Sequence, residues 1–281
     1  MSLSNPVVRA RLLMEALPYI KRYHGRTIVV KYGGAAMEDP ALRESFANDV
    51  VLMRYVGMNP VVVHGGGPQV SEHIRRLGGQ PVFAGGYRVT TAKDLEVARM
   101  VLGGLINKDI VTLINRHGTL AAGVSGEDGN LLIVRPKDPA LGFVGEVVRA
   151  NPGIITDLLR DFIPVVASLG VDDAGQPYNV NADEVAAALA AALGADKLVF
   201  LTNVEGILDT GGSLIRTLTL AQATELQGGG ALSEGMIPKL QSAVDAVKSG
   251  VQKATILDGR IEHALLLEVF TDEGLGTMVH Q

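Results

Sequence analysis

The chain of 281 residues contains no cysteine and no tryptophan. Disulfides, thiolate metal sites, iron–sulfur clusters and cysteine nucleophiles are thereby excluded. Aromatic residues make up only 4%, too few for a surface on which single-stranded bases stack in succession. Positive charge is also short. Twenty-five Lys and Arg stand against 30 Asp and Glu, a formal net charge of -5, which disfavours a binder of the nucleic-acid backbone. The longest strongly apolar run, residues 185–195, falls well short of the ~20 residues that span a bilayer. The first residues lack a basic-then-apolar leader pattern. A cytoplasmic protein with neither nucleic acid nor membrane as a partner is expected. No G-x-x-x-x-G-K-[ST], no G-x-G-x-x-G and no G-x-S-x-G occurs, so the P-loop, the dinucleotide fingerprint and the nucleophile elbow are all missing. The six His, at 24, 64, 73, 117, 263 and 280, form no i, i+4 pair, and no protein-held metal is expected.

What is present suits a packed enzyme. Hydrophobic residues are 47% and charged residues 20%, enough to bury a sizeable core in one or two domains. Apolar runs at 27–32, 60–64, 163–167, 197–201 and 254–257 read as strands, and 42–55, 69–77, 95–116, 181–193 and 237–249 read as helices. Residues 7–24 read as an amphipathic helix kinked at Pro18, and 131–134 with 144–149 as a hairpin. Short apolar strands separated by helices imply an α/β fold, a three-layer αβα sandwich around a mainly parallel central sheet. The best seam is the turn Gly175-Gln176-Pro177.

Two strands end in glycine turns, at Lys31-Tyr32-Gly33-Gly34 and His64-Gly65-Gly66-Gly67. Open α/β sheets bind ligands at the carboxyl ends of their strands. Glycine lets backbone approach a phosphate, and the helix that follows offers free N–H groups. Lys31 lies inside an apolar run where burial is expected, so it reads as a cation facing a phosphoryl group or as a snorkelling surface lysine. Lys239 opens a helix after Gly228-Gly229-Gly230 and Gly235. A cation there opposes the macrodipole unless an anion lies nearby. Asp183 reads either as a first-turn acid or as a carboxylate that orients two lysines. Arg88 reads either as a carboxylate fork or as one half of a local salt bridge.

These segments together resemble the amino-acid kinase family. The likeness rests on the two glycine turns, Gly86-Tyr87-Arg88-Val89-Thr90, Asn179-Val180-Asn181-Ala182-Asp183, Leu201-Thr202-Asn203-Val204-Glu205-Gly206-Ile207 and Gly235-Met236-Ile237-Pro238-Lys239. Within the family it is similar to the members that phosphorylate the γ-carboxylate of N-acetyl-L-glutamate with ATP in arginine biosynthesis. The resemblance implies that Lys31 and Lys239 stabilise the transferring phosphoryl group and that Asp183 orients them. It implies substrate contacts at Gly66, Gly67, Arg88 and Asn179, nucleotide contacts at Gly33, Gly34, Thr202, Asn203, Gly206 and Ile207, and Mg²⁺ accompanying ATP. It further implies a division into an N-terminal oligomerisation helix (1–24), an acyl-amino-acid substrate lobe (25–175) and a nucleotide-binding lobe (176–281).

The N-terminal helix and the C-terminal stretch resemble the arginine-inhibited, hexameric members. They imply a homo-hexamer, L-arginine as feedback inhibitor, an allosteric site at Tyr19, His263, Glu268 and Gly274, and a nitrogen-signalling protein partner. Two alternatives stay open: another small kinase of the family, and a non-catalytic arginine sensor on the same fold.

Overall fold

The computed structural model describes residues 6–228, 232, 236–272 and 274–281. Gly229, Gly230 and Gly235 of the glycine-rich stretch before Lys239 lie outside the described residues. Helix α1 (Pro6–Tyr23) runs through Pro18 and leads into β1 (Thr27–Tyr32), α2 (Pro40–Tyr55), β2 (Asn59–His64) and α3 (Gly67–Arg76). A hairpin of β3 (Val82–Ala84) and β4 (Tyr87–Val89) precedes α4 (Ala92–Arg99) and α5 (Asn107–Asn115). Between these two helices Met100–Ile106 winds as a π-helix, so the long helix expected over 95–116 carries a widened stretch. Next come β5 (Ala121–Ser125), β6 (Leu132–Pro136), β7 (Val144–Ala150), α6 (Gly153–Leu158), β8 (Ile163–Ala167), β9 (Leu169–Val171) and β10 (Pro177–Val180). The chain finishes with α7 (Ala182–Ala192), β11 (Lys197–Thr202), β12 (Thr217–Thr219), α8 (Leu220–Gly228), α9 (Ile237–Lys248), β13 (Lys253–Asp258), α10 (Ala264–Val269) and β14 (Thr277–His280).

Eight strands form one sheet in the order β12-β14-β13-β11-β1-β2-β8-β5. Every pairing in it is parallel except β13 with β14. Parallel strands need both faces covered, and β1 shows how this chain does it. Ile28, Val30 and Tyr32 enter one buried cluster with residues of α2, α3 and α5, whereas Val29 enters another with residues of α7 and α9. Tyr32 stacks on Phe46 of α2, with ring centres 3.8 Å apart. Side chains alternate along a strand, so Lys31 follows Val29 onto the face covered by α7 and α9.

Strands β6, β7, β9 and β10 close into a small barrel beside the main sheet. The hairpin expected over 131–149 is the antiparallel pair β6–β7. The turn at Gly175-Gln176-Pro177 joins β9 to its antiparallel neighbour β10 inside this barrel. The main sheet is continuous across the division placed there, because β1 pairs with both β2 and β11. Among the described residues no helix is long and apolar enough to cross a membrane.

Candidate active site

A cavity of about 300 Å³ opens at the carboxyl ends of β1 and β2, lined by both glycine turns, Arg88, Asn179, Asp183, Lys31 and Lys239. At its floor one carboxylate holds two ammonium groups. Lys31 Nζ lies 3.1 Å from Asp183 Oδ1, and Lys239 Nζ donates to Asp183 Oδ2 at 3.1 Å. Three elements build this arrangement. Strand alternation turns Lys31 toward α7. Asn181 caps α7, its Oδ1 accepting from the N–H groups of Asp183 and Glu184, which fixes the first turn that carries Asp183. Lys239 is in the first turn of α9, after Pro238.

Asp183 is only 4% exposed. Burial alone pushes its carboxyl up, but the charges of Lys31 and Lys239 outweigh burial and hold it below the ordinary range. It therefore stays ionised as an acceptor-only anchor. A buried charge of this kind is tolerated because it is paired. Two cations on one anion leave the floor with net positive charge, and Arg88 adds to it. Such a cleft attracts anions.

The walls depend on glycine. Gly34 has φ +70°, and a Cβ there would collide with the Asn203 side chain. The Asn203 amide oxygen accepts from Ala35 N–H at 2.7 Å and so ties the loop after β11 to the turn after β1. A Cβ at Gly66 would strike Ile106 and Leu102 of the π-helical stretch. Gly66 precedes the first turn of α3, whose N-terminal end lines the cavity through Gly67 to Val70 and suits an anion.

Arg88 projects from β4 and is 7% exposed. Its Nη2 donates to the Gly67 carbonyl at 2.6 Å and to Ser71 Oγ at 2.7 Å. The guanidinium lies 4.7 Å from the ring centre of Phe83. Its other terminal nitrogen, Nη1, is buried without an acceptor. A buried charged donor left unpaired is costly, and its place in the cavity wall suits a ligand carboxylate. Asn179 lines the same cavity and reaches Thr90 Oγ1 at 3.4 Å.

The structure does not bring every expected residue to this cavity. Thr202, Asn203, Gly206 and Ile207 lie at and beyond the carboxyl end of β11, and none lines it. Thr202 Oγ1 bonds to Val204 and Leu257 carbonyls, and Ile207 N–H donates to Thr277 Oγ1. Tyr19 packs edge-on against Phe270. Glu268 is buried and paired with Lys197 at 2.5 Å, and it accepts from Thr255 Oγ1 at 2.9 Å. Gly274, with φ +56°, lies beside Glu268. His263, with φ +57°, instead joins α10 to α2 through Asp49 at 2.6 Å and Ser45. No three His, Asp or Glu side chains cluster to hold a metal ion among the described residues. Asp183 itself already serves two lysines.

Sequence reasoning missed several supporting residues. His64 is fully buried, and burial lowers it to about 4. Neutral at physiological pH, it donates through Nδ1 to the Gly65 carbonyl and accepts at Nε2 from Asn107. Asn107 begins α5 directly after the π-helical stretch. Ser71, Tyr87, Glu184 and Lys137 were not singled out either. Tyr87 lies inside a glycine-flanked motif, Ser71 and Glu184 lie close to one, and Lys137 carries no sequence signal of its own.

The amino acid kinase family model matches residues 26–258. The chain is 50% identical over 282 residues to the acetylglutamate kinase of Nitrosomonas eutropha, covering 96% of each chain. It is 52% identical over 282 residues to the acetylglutamate kinase of Nitrosospira multiformis, again covering 96% of each. In three dimensions it is similar to the N-acetylglutamate synthase of Neisseria gonorrhoeae. The form complexed with coenzyme A and N-acetyl-glutamate gives a TM-score of 0.85 at 28% identity over 97% of this chain, and the present chain spans 63% of that protein's length. The form complexed with coenzyme A and L-arginine gives 0.81 at 26% identity, with 95% and 64% covered.

Proposed function

The chain belongs to the amino acid kinase family, and we propose that it transfers the γ-phosphoryl group of ATP to the γ-carboxylate of N-acetyl-L-glutamate in arginine biosynthesis. Relatives of that activity, alike at about half of all positions over nearly the whole length, support the substrate. The observation that carries the chemistry is Asp183 holding Lys31 and Lys239 at 3.1 Å each beside two glycine turns.

A carboxylate acceptor with a pKa near ~4.3 is already ionised at neutral pH and needs no general base. The obstacle is repulsion between two anions. Lys31 and Lys239 offset the charge that builds on the transferred group, and Asp183 keeps both ammonium groups in place. Positioning and charge stabilisation dominate phosphoryl transfer generally. Gly66 and Gly67 let the backbone approach the acceptor. Arg88 Nη1 and Asn179 hold its other polar groups. ATP supplies the phosphoryl group. We place it on the side of Gly33, Gly34, Thr202, Asn203, Gly206 and Ile207, which the Asn203–Ala35 bond connects. Mg²⁺ accompanies the nucleotide's phosphates. Among the described residues no cluster of His, Asp and Glu forms a cage for it.

On the same reading, residues 25–175 serve the acyl-amino acid and 176–281 the nucleotide, in a cytoplasmic enzyme. L-arginine inhibits through the corner formed by Tyr19, Glu268 and Gly274, with His263 fixing the start of α10. The L-arginine complex of the structurally similar synthase supports this. Helix α1 joins copies of the chain into a hexamer, supported by the exposure of Leu12, Leu13 and Met14. A coupled assay of ATP consumption with N-acetyl-L-glutamate, L-glutamate, L-aspartate and UMP, with and without L-arginine, tests the whole reading. Turnover with N-acetyl-L-glutamate well above the others is expected. Preference for any other acceptor overturns it.

A further inference from the structure

Glu184 follows Asp183 in the first turn of α7 but serves a different cluster. Its Oε1 accepts from the Tyr87 hydroxyl at 2.7 Å and from Lys137 Nζ at 2.8 Å. Lys137 Nζ also lies 4.5 Å from the centre of the Tyr87 ring, a cation–π contact. The three residues come from three separate places: β4, the first turn of α7 and the loop after β6. Only 22% of the Lys137 and Glu184 side chains is exposed. Burial first, then the Glu184 carboxylate, pushes the Tyr87 hydroxyl up, so it remains a donor. Tyr87 lines both the substrate cavity and a second cavity whose wall includes Lys137 and Glu184.

Among the described residues the β3–β4 hairpin has few attachments besides its base and the Arg88 bonds to α3. Among the described residues its strands pair only with each other. Strand β3 is exposed along its whole length. The tip is Gly85-Gly86, with φ of +56° and +82°. The base is tied at Thr90, whose N–H donates to Leu141 and whose carbonyl accepts from Phe143. Yet this hairpin carries Phe83, Tyr87 and Arg88 into the cavity wall. Arg88 Nη2 ties one side of β4 to Gly67 and Ser71 of α3, and Tyr87, the neighbouring residue, offers a further attachment to α7 through Glu184.

We propose that Tyr87, Glu184 and Lys137 form a latch that positions the β3–β4 hairpin, and with it Arg88, against the acceptor substrate. The latch rests on the proposed function, since it makes these three side chains positioning residues for the N-acetyl-L-glutamate site. None of them touches the reacting atoms. Glu184 and Asp183 share one turn, fixed by the Asn181 cap. The latch therefore sets the spacing between the guanidinium that grips the acceptor and the carboxylate that holds both lysines. Lost hairpin order is an entropic cost that falls on acceptor binding, because the substrate must then order the hairpin itself.

The test uses the full chain and steady-state kinetics with each substrate varied in turn. Lys137→Ala is expected to raise KM for N-acetyl-L-glutamate about 10–100-fold, the scale of one hydrogen bond to a charged group. Its kcat and its KM for ATP stay within about twofold, since Lys31 and Lys239 are held by Asp183 rather than by the hairpin. Lys137→Arg keeps the cation and its ring contact and restores most of the loss. Tyr87→Phe removes a single oxygen, carries the test even where Lys137→Ala folds poorly, and raises the same KM. In the double variant the two effects are markedly less than additive. An unchanged acceptor KM in Tyr87→Phe overturns the latch. So does an equal loss for both substrates, or full additivity in the double variant. The unaltered chain is the reference in every series. Its own turnover reports on the proposed function, and the ratio of variant to reference KM reports on the latch.

Discussion

Arg88 Nη2 donates to Ser71 Oγ at 2.7 Å, and this bond leaves Nη1 of the same guanidinium buried and unpartnered in the cavity wall. The hydroxyl of α3 thus leaves a charged donor facing the space proposed for the acceptor carboxylate. Lysine cannot reproduce the fork, because its donors radiate from a single point. Arg88→Lys is expected to raise KM for N-acetyl-L-glutamate by about 10²-fold with a much smaller change in kcat, the signature of lost ground-state and transition-state binding alike. Initial rates across an acceptor titration check this. A loss confined to kcat would place Arg88 with the reacting atoms instead.

The opposite pattern is expected at Lys31. Its ammonium is held 3.1 Å from Asp183 Oδ1 and faces the cavity floor. Lys31→Ala is expected to lower kcat by about 10²–10³-fold, the scale of one removed charge-stabilising donor, and to change either KM by less than about fivefold. Near-normal kcat in this variant would remove Lys31 from phosphoryl transfer.

How far the sequence announced these features follows from where their causes lie. Central strands β1, β2, β8 and β11 were legible because parallel strands buried on both faces leave unbroken apolar runs. The glycine turns and Lys31 were legible for a related reason: each departs from such a run at its end. Strands β3, β4, β9, β12 and β14, of three or four residues, were not. Their pairing is decided by distant partners rather than local pattern, and β5 hides in the small-residue run Ala121-Ala122-Gly123. The π-helical stretch has the same local pattern as an α-helix. Lys137 and Glu184 became a pair only because the Asn181 cap and the β6–β7 barrel bring two distant segments together. No spacing in the sequence encodes that.

His64 makes acid stability a measurable property of the fold. Burial lowers it from 6.5 to about 4. The unfolded chain binds a proton near 6.5, whereas the folded chain refuses it until about 4. The contribution to stability is therefore fully present above pH 6.5 and is lost as pH falls toward 4, amounting to ~3 kcal/mol across that window. Urea unfolding at a series of pH values between 4 and 7.5 should show this slope. The His64→Gln variant should show a shallower one. Equal slopes in the two proteins would mean that other groups govern the acid limb.

Gly34 tests the close approach of the two loops. At φ +70° a side chain is strained, and a Cβ would collide with Asn203. Gly34→Ala is expected to cost ~1–3 kcal/mol of stability and to raise KM for ATP more than KM for the acceptor, because Asn203 belongs to the loop after β11. Differential scanning calorimetry and ATP titrations check the two parts separately. A selective loss of acceptor affinity would assign this turn to the other substrate.

Helix α1 gives the last prediction. An isolated helix of 18 residues is marginal in water, so α1 needs tertiary or quaternary contacts. Its C-terminal end has them: Tyr23 is buried and Tyr19 packs against Phe270. Its N-terminal half is more open, with Leu12 47%, Leu13 73% and Met14 64% exposed. An apolar face of this kind on an otherwise charged surface calls for a partner, and a second copy of the same helix offers one by symmetry. Removing residues 1–24 should therefore lower the oligomer order seen by light scattering. It should also blunt inhibition by L-arginine, since Tyr19 leaves with the helix, while kcat without arginine stays within about twofold because no residue of α1 lines the substrate cavity. Unchanged size with unchanged inhibition would show that α1 does neither job. A smaller oligomer with normal inhibition would separate assembly from arginine sensing and move the inhibitor site wholly onto the C-terminal segment around Glu268.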